Sequence, residues 1–176
     1  MILQPKSDFV SQFRHLTIIV AGKPGAETTL FVNGEETAKG IIRVDGKYDY
    51  INIEVPPGPA ELKVSASGAR GKIYTAMKQI QVAGDPYRIN TIPEEINLPA
   101  DGKSTQEIEV NISDKWGTPL KNIKLASLFL YDGRIIEPDL DSVSKGHQLS
   151  SLGGTLTCQI IAGKDPSTGS LDIQIG

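Results

Sequence analysis

Residues able to carry out chemistry are sparse in this 176-residue sequence. The single cysteine, Cys158, falls between Leu156 and Ile160 at period 2. A nucleophilic thiol needs a base and an electropositive setting, and an inward position among aliphatic side chains supplies neither; the spacing predicts a buried structural thiol. His15 and His147 are far apart and neither stands in a metal-ligand spacing, which predicts surface or edge positions. Glu137, Asp139 and Asp141 alternate along one short run and could offer oxygens to a calcium ion, although the run lacks the glycine and terminal glutamate of an EF-hand loop; the alternative is a solvated loop. Asp85, Glu94, Glu95 and Asp101 form a second, looser acidic set with the same chemistry. There is no Ser/His/Asp spacing, convergent carboxylate pair or metal set, so no catalytic residue, enzyme activity or cofactor is expected beyond that possible calcium.

Two aromatic features suit recognition better than catalysis. Trp116, flanked by Lys115 and Gly117 where a strand runs into a turn, can stack on a sugar or anchor an interface, or can fold back over the end of the core. Tyr48 and Tyr50 share a strand face and form either an aromatic patch for a ligand or a pair packed on cross-strand neighbours.

The elements that position these residues read as strands. From Pro99 to Leu120 a turn at Asp101-Gly102 leads into alternation, with Ile108, Val110 and Ile112 set against Glu107, Glu109 and Asn111. This is a half-buried strand, stopped by Gly117 and Pro119. Before it, Leu16 to Val20, Thr28 to Val32, Ile41 to Val44, Tyr48 to Val55, the alternating run around Leu62 and Val64, and Ile73 to Val82 read as strands. Asn33-Gly34, Asp45-Gly46, the proline-rich run 56–59 and residues 68–71 lie between them as turns and crossings. Tyr87 to Ile92 reads as one more strand just ahead of it, and after it come Asn122 to Leu130, residues 135–138, an irregular polar segment 139–151, Thr155 to Ile161 and Ser170 to Ile175. Turns every 8 to 12 residues or so without a helical period are the pattern of a sandwich.

Composition agrees. Hydrophobic residues make up 39% with only four Phe, so any core rests on Ile, Val and Leu, while 18 Gly and 11 Pro point to many turns. A net charge of -3 gives no broad attraction for nucleic acid or anionic membranes, and one Cys excludes an internal disulfide. No apolar run reaches the roughly 18 to 20 residues of a spanning helix, so no direct membrane insertion is expected. The expected organisation is a linker or edge strand over 1–14, one sandwich over 15–84 and a second over 85–176. A short break at Ala83 to Pro86 would join them end to end as a semi-rigid rod.

The residues of Pro99 to Leu120, with Asp114-Lys115-Trp116-Gly117-Thr118-Pro119 followed by Ile123 to Leu125, resemble the bacterial immunoglobulin-like domains of the invasin and intimin type. Tyr131 to Ile136, Thr155 to Gly163 and Ser170 to Ile175 look like that family's later strands, so the likeness covers roughly 85–176. Phe31 to Gly34 and Val55 to Val64 look like generic bacterial immunoglobulin-like modules. The resemblance implies an all-β chain of two immunoglobulin-like β-sandwiches in tandem. It also implies a non-catalytic stalk, spacer or adhesive segment of a secreted or bacterial cell-surface protein, next to neighbouring domains of a longer chain and touching a host or cell-surface protein or a glycan. A carbohydrate-binding or accessory module beside an extracellular enzyme is the alternative.

Overall fold

The computed structural model describes residues 1–68, 71–123, 125–151 and 153–175. Two residues of the expected turn over 68–71 and one of the Ile123 to Leu125 stretch lie outside the described residues. The fold is all-β, and among the described residues no helix is long and apolar enough to cross a membrane. The chain divides into two compact units, Met1–Gly84 and Asp85–Gly176.

The first unit runs β1 (Ile2–Gln4), β2 (Phe9–Ser11), β3 (His15–Ala21), β4 (Glu27–Val32), β5 (Glu35–Ile41), β6 (Lys47–Glu54), β7 (Gly58–Ser67) and β8 (Ile73–Val82). One sheet is ordered β1-β3-β6 and the other β2-β8-β7-β4-β5. Residues 1–14 thus give an edge strand to each sheet, β2 lying parallel to β8 while the other pairs are antiparallel. Ile18 and Val20 of β3 meet Leu30 of β4, Leu62 and Val64 of β7 and Ile80 of β8 in a single aliphatic core.

Two local devices make the pleat work. Leu16 opposes Ile53 while Ile18 opposes Tyr50, so β6 carries an extra residue, with Asn52 in the left-handed region at φ 58°. This bulge turns both Tyr50 and Ile53 inward, although they sit three apart. At the tip of β4, Asn33 and Gly34 both have positive φ, 51° and 87°, as a type I′ turn demands. Val32 pairs with Glu35 at once, so β5 begins directly after the turn.

That placement corrects the expected strand over Ile41 to Val44: only Ile41 belongs to β5, and Val44 is 97% exposed in a turn. The register of β5 comes from its hairpin, and an edge strand can be built from EETAKG without apolar alternation. Pro59, expected in a crossing, is the second residue of β7, opposite Gln81. β4 pairs with β7 only from Leu62 onward, so the missing N–H of Pro59 breaks no bond to β4.

The second unit runs β9 (Arg88–Ile92), β10 (Thr105–Ser113), β11 (Ala126–Tyr131), β12 (Arg134–Ile135), β13 (His147–Leu149), β14 (Thr155–Ile161) and β15 (Ser170–Ile175). Its sheets are ordered β12-β14-β10-β9 and β13-β11-β15. Ile108, Val110 and Ile112 of β10 and Leu156, Cys158 and Ile160 of β14 are buried, as are Ala126 and Leu128 of β11 and Leu149 of β13. Three boundaries differ from expectation. β11 starts only at Ala126, the strand over 135–138 shrinks to Arg134–Ile135, and the irregular segment 139–151 contains β13, which is held against β11. Each unit is a β-sandwich of two sheets.

The two sheets of the first unit are also joined through a polar contact. The Tyr50 hydroxyl donates to Thr28 Oγ1 at 3.1 Å, with both residues buried. Burial and this bond oppose each other on the phenol: desolvation raises its pKa and the bond to Thr28 lowers it, with burial the larger effect. Tyr50→Phe leaves the Thr28 hydroxyl without this donor and is expected to cost about 1–2 kcal/mol in thermal or urea unfolding. Adding Thr28→Val should recover part of that loss; equal melting of Tyr50→Phe and the unmodified chain would show that the bond carries no stability.

Candidate functional site

Trp116 sits on the loop that leaves β10, and the loop is built around a buried carboxylate. Asp114 is 2% exposed, and its Oδ1 accepts from the amides of Trp116 at 2.9 Å and Thr118 at 2.8 Å. The Asp114 amide donates to the Thr118 carbonyl and the Gly117 amide to the Asp114 carbonyl, each at 3.0 Å. Gly117 adopts φ 82°, a conformation that favours glycine. Ser113 bridges to Pro119, and the Leu120 amide donates back to Ile112, so the loop returns to the strand it left. Asp114 was not singled out in the sequence; the signal that marks it is an aspartate followed by Gly, Thr and Pro, the composition of a turn whose side chain bonds its own backbone.

The indole this loop presents is 40% exposed. Lys115 Nζ stands 4.3 Å from the ring centroid, a cation–π contact over one face. The site therefore combines a half-open aromatic surface and an adjacent cation on a backbone fixed by the five hydrogen bonds named above. It can stack a planar or sugar ring or seat an interface side chain; it holds no acid–base pair.

Tyr48 and Tyr50 lie elsewhere, in the first unit. Tyr50 is 3% exposed and belongs to the core, and Tyr48 packs edge-on against it, centroids 4.9 Å apart at 76°. Gly40 lies under Tyr48, where an added Cβ would come within 2.3 Å of the ring. The aromatic-patch reading is corrected on this point: the pair fills the sandwich, because the bulge in β6 turns Tyr50 inward.

The calcium reading meets a similar geometry. Asp139 Oδ1 accepts from the amides of Asp141 at 3.0 Å and Gln148 at 2.9 Å, and both oxygens of Glu137 face the Gln159 amide. Asp141 accepts from the Val143 amide and, at 2.6 Å, the Ser144 hydroxyl. Each carboxylate turns to its own donors, and among the described residues no three His, Cys, Asp or Glu side chains gather into a metal-holding group. In the second acidic set, Asp101 is likewise engaged with the amides of Lys103 and Ser104 and the Ser104 hydroxyl. Glu94 and Glu95 are exposed.

The bonding shows in the acidities. Asp101 is held below the usual carboxylate range, chiefly by the Ser104 amide; Asp139 by the Gln148 amide; Asp141 by the Ser144 hydroxyl. Burial, with the Glu137 carboxylate adding to it, pushes the Cys158 thiol up to about 11, far from a reactive thiolate. His147 Nε2 lies 2.8 Å from the Glu137 carbonyl, which only accepts, so this nitrogen carries the hydrogen. His15 is exposed at the start of β3.

No protein-family model matches the chain, and no curated protein does. Among solved structures, the chain is similar to a glycosyl hydrolase family 2 member from Bacteroides cellulosilyticus at 18% identity, covering 92% of this chain and 23% of that one, with a TM-score of 0.44. It is also similar to the β-glucuronidase of Parabacteroides merdae at 15% identity, covering 95% of this chain and 22% of that one, with a TM-score of 0.38. The third is the D0–D1 domain of intimin at 10% identity, covering 96% of this chain and 87% of that one, with a TM-score of 0.39. The chain spans less than a quarter of the length of those two glycosidases.

Replacing Asp114 by Ala leaves the Trp116 and Thr118 amides without their buried acceptor. It is expected to destabilise the second unit by about 1–3 kcal/mol and to lower Trp116 fluorescence anisotropy before unfolding; unchanged anisotropy would show that the loop is held by its backbone alone. The carboxylates of 137–141 are expected to give no rise in melting temperature with millimolar calcium. Because Asp139 and Asp141 titrate below their unfolded values, their contribution is present above the ordinary aspartate range and lost as pH falls through the folded values. Exchange of the Gln148 and Val143 amides should accelerate there, measured by NMR against the β10 amides.

Proposed function

We propose that the chain is a non-catalytic structural or adhesion segment, a spacer or stalk of a secreted or bacterial cell-surface protein. The observation that carries the reading is where its carboxylates are committed. Asp139, Asp141, Asp101 and Asp114 bond loop backbone and Glu137 bonds the Gln159 amide of β14, so polar groups that an enzyme would turn on a substrate here stiffen the loops within each sandwich. A module that holds other domains apart needs such stiffness. The resemblance of Pro99 to Leu120 to invasin- and intimin-type domains supports the same reading. Its partners are then neighbouring domains and a host or cell-surface protein or glycan.

A second reading, a carbohydrate-binding or accessory module beside an extracellular enzyme, is favoured by the half-open indole of Trp116 on its fixed loop. Lys115 covers one face of the ring, so a sugar would have to stack on the other or displace it.

A glycan array read with and without Trp116→Ala separates the two. The spacer reading expects no glycan signal that depends on Trp116, whereas a set of sugars lost on Trp116→Ala, with folding intact by circular dichroism, would establish the carbohydrate reading. Hydrolysis of chromogenic glycosides or esters above the buffer rate would overturn both.

A further inference from the structure

The second unit is open between its sheets at the end where β9, β11 and β14 finish and β10 and β15 begin. A cleft of about 700 Å³ enters it there, lined by the loop that follows β9 and the loop that joins β14 to β15. That volume falls in the range of roughly 300–1,000 Å³ usual for small-molecule pockets. Ile108 of β10 and Ile160 of β14, 0% and 4% exposed, form its floor, and the half-buried Ile96, Leu98, Leu130 and Leu171 its walls.

Both loops are tied down. The Ala162 amide donates to the Ser104 carbonyl at 3.0 Å and the Gly102 amide to the Gly163 carbonyl at 3.1 Å, joining one loop to the other. The Ser167 hydroxyl donates to Asp132, while Gly163 and Gly169 press on Asp132 and Tyr131 so closely that a Cβ at either position has no room. The cleft is therefore preformed, and a ligand entering it need not order its walls.

Charge at the mouth has one sign. Glu94, Glu95, Asp132 and Asp165 line the cleft, and among the described residues no Lys, Arg or His does; Lys164 lays its stem over Gly102, outside the lining. Asp132 is engaged by Ser167, whereas the exposed Glu94, Glu95 and Asp165 form no ion pair or side-chain hydrogen bond among the described residues. An apolar well beneath free carboxylates is complementary to a molecule with an apolar body and a cationic head, and it repels an acid.

We propose that this cleft is a small-molecule site for an amphipathic ammonium ion. Its alkyl or aryl body lies against Ile108 and Ile160, and its nitrogen stands among Glu94, Glu95 and Asp165. The occupant is a free small molecule and not a protein strand, because each strand of the unit gives the lining at most two residues and no sheet edge runs along it.

Isoleucine methyl NMR of the whole chain, titrated with phenylbutylammonium, tests the site. The Ile96, Ile108 and Ile160 methyls are expected to shift saturably at about millimolar ligand, while those of Ile18 and Ile53 in the first unit stay in place. Phenylbutanol, with the same body and no charge, should bind about tenfold more weakly, and phenylbutanoate should not bind at low salt. Combining Glu94→Gln, Glu95→Gln and Asp165→Asn should raise the Kd for the ammonium about tenfold and leave that for the alcohol unchanged, which also reports an intact fold. No saturable shift at Ile108 and Ile160, equal affinity for ammonium and alcohol, or a Kd indifferent to the three substitutions overturns the proposal. Tighter binding of an extended lysine-containing peptide at the same methyls also overturns it, by making a protein segment the occupant.

Discussion

The two-faced pleat of a β-strand is the constraint on which the rest of this structure depends. With one cysteine and four phenylalanines, neither unit has a disulfide or a large aromatic cluster to hold its sheets together. Stability must come from small aliphatic side chains sealed between two sheets, each placed by strict alternation. Where alternation fails, a local device restores it. The extra residue in β6 returns Tyr50 and Ile53 to the same face. Lys78, on β8 between the inward-facing Ala76 and Ile80, extends its ammonium to the Pro5 carbonyl at 2.7 Å, so its stem stays with the sheet while its charge is satisfied.

Polar side chains in the loops obey a related rule. A loop that leaves a sheet exposes backbone amides with no ladder partner, and near a packed core those amides must find acceptors. Asp101, Asp114, Asp139 and Asp141 meet that need, each beside a turn. The same bonds determine what the chain can do. A carboxylate already accepting two amides is a poor general base and a poor metal ligand, but it makes a stiff mount. Trp116 benefits most, because its own amide is one of the two held by Asp114.

How much of this was legible in the sequence depends on whether side chains or backbone set each element. β14 and β15 follow from alternation because their inward faces are aliphatic, and they lie where the pattern puts them. β5 and β13 do not, since EETAKG and HQL have little apolar rhythm; one is placed by an Asn-Gly turn and the other by pairing with β11. The burial of Cys158 could be read from its neighbours Leu156 and Ile160. The fate of Tyr50 could not, because the bulge that turns it inward is a property of the pairing between β3 and β6. Spacing likewise showed three carboxylates close in sequence at 137–141, but not that each would turn to a different amide.

The inward residues of β7, buried beside β8, and those of β15, only half-buried, show what a covering strand contributes. Fully burying an aliphatic side chain is worth about 1.5–3 kcal/mol, so three half-buried residues on β15 leave a few kcal/mol unrealised, a large share of the stability of a small domain. Each backbone bond between β7 and β8 adds less than the apolar seal between them. β8 therefore holds β7 mainly by what it covers, with its hydrogen bonds fixing direction and register. That ordering follows from the pleat again: a strand presents its apolar groups at the spacing that Ala60, Leu62 and Val64 set.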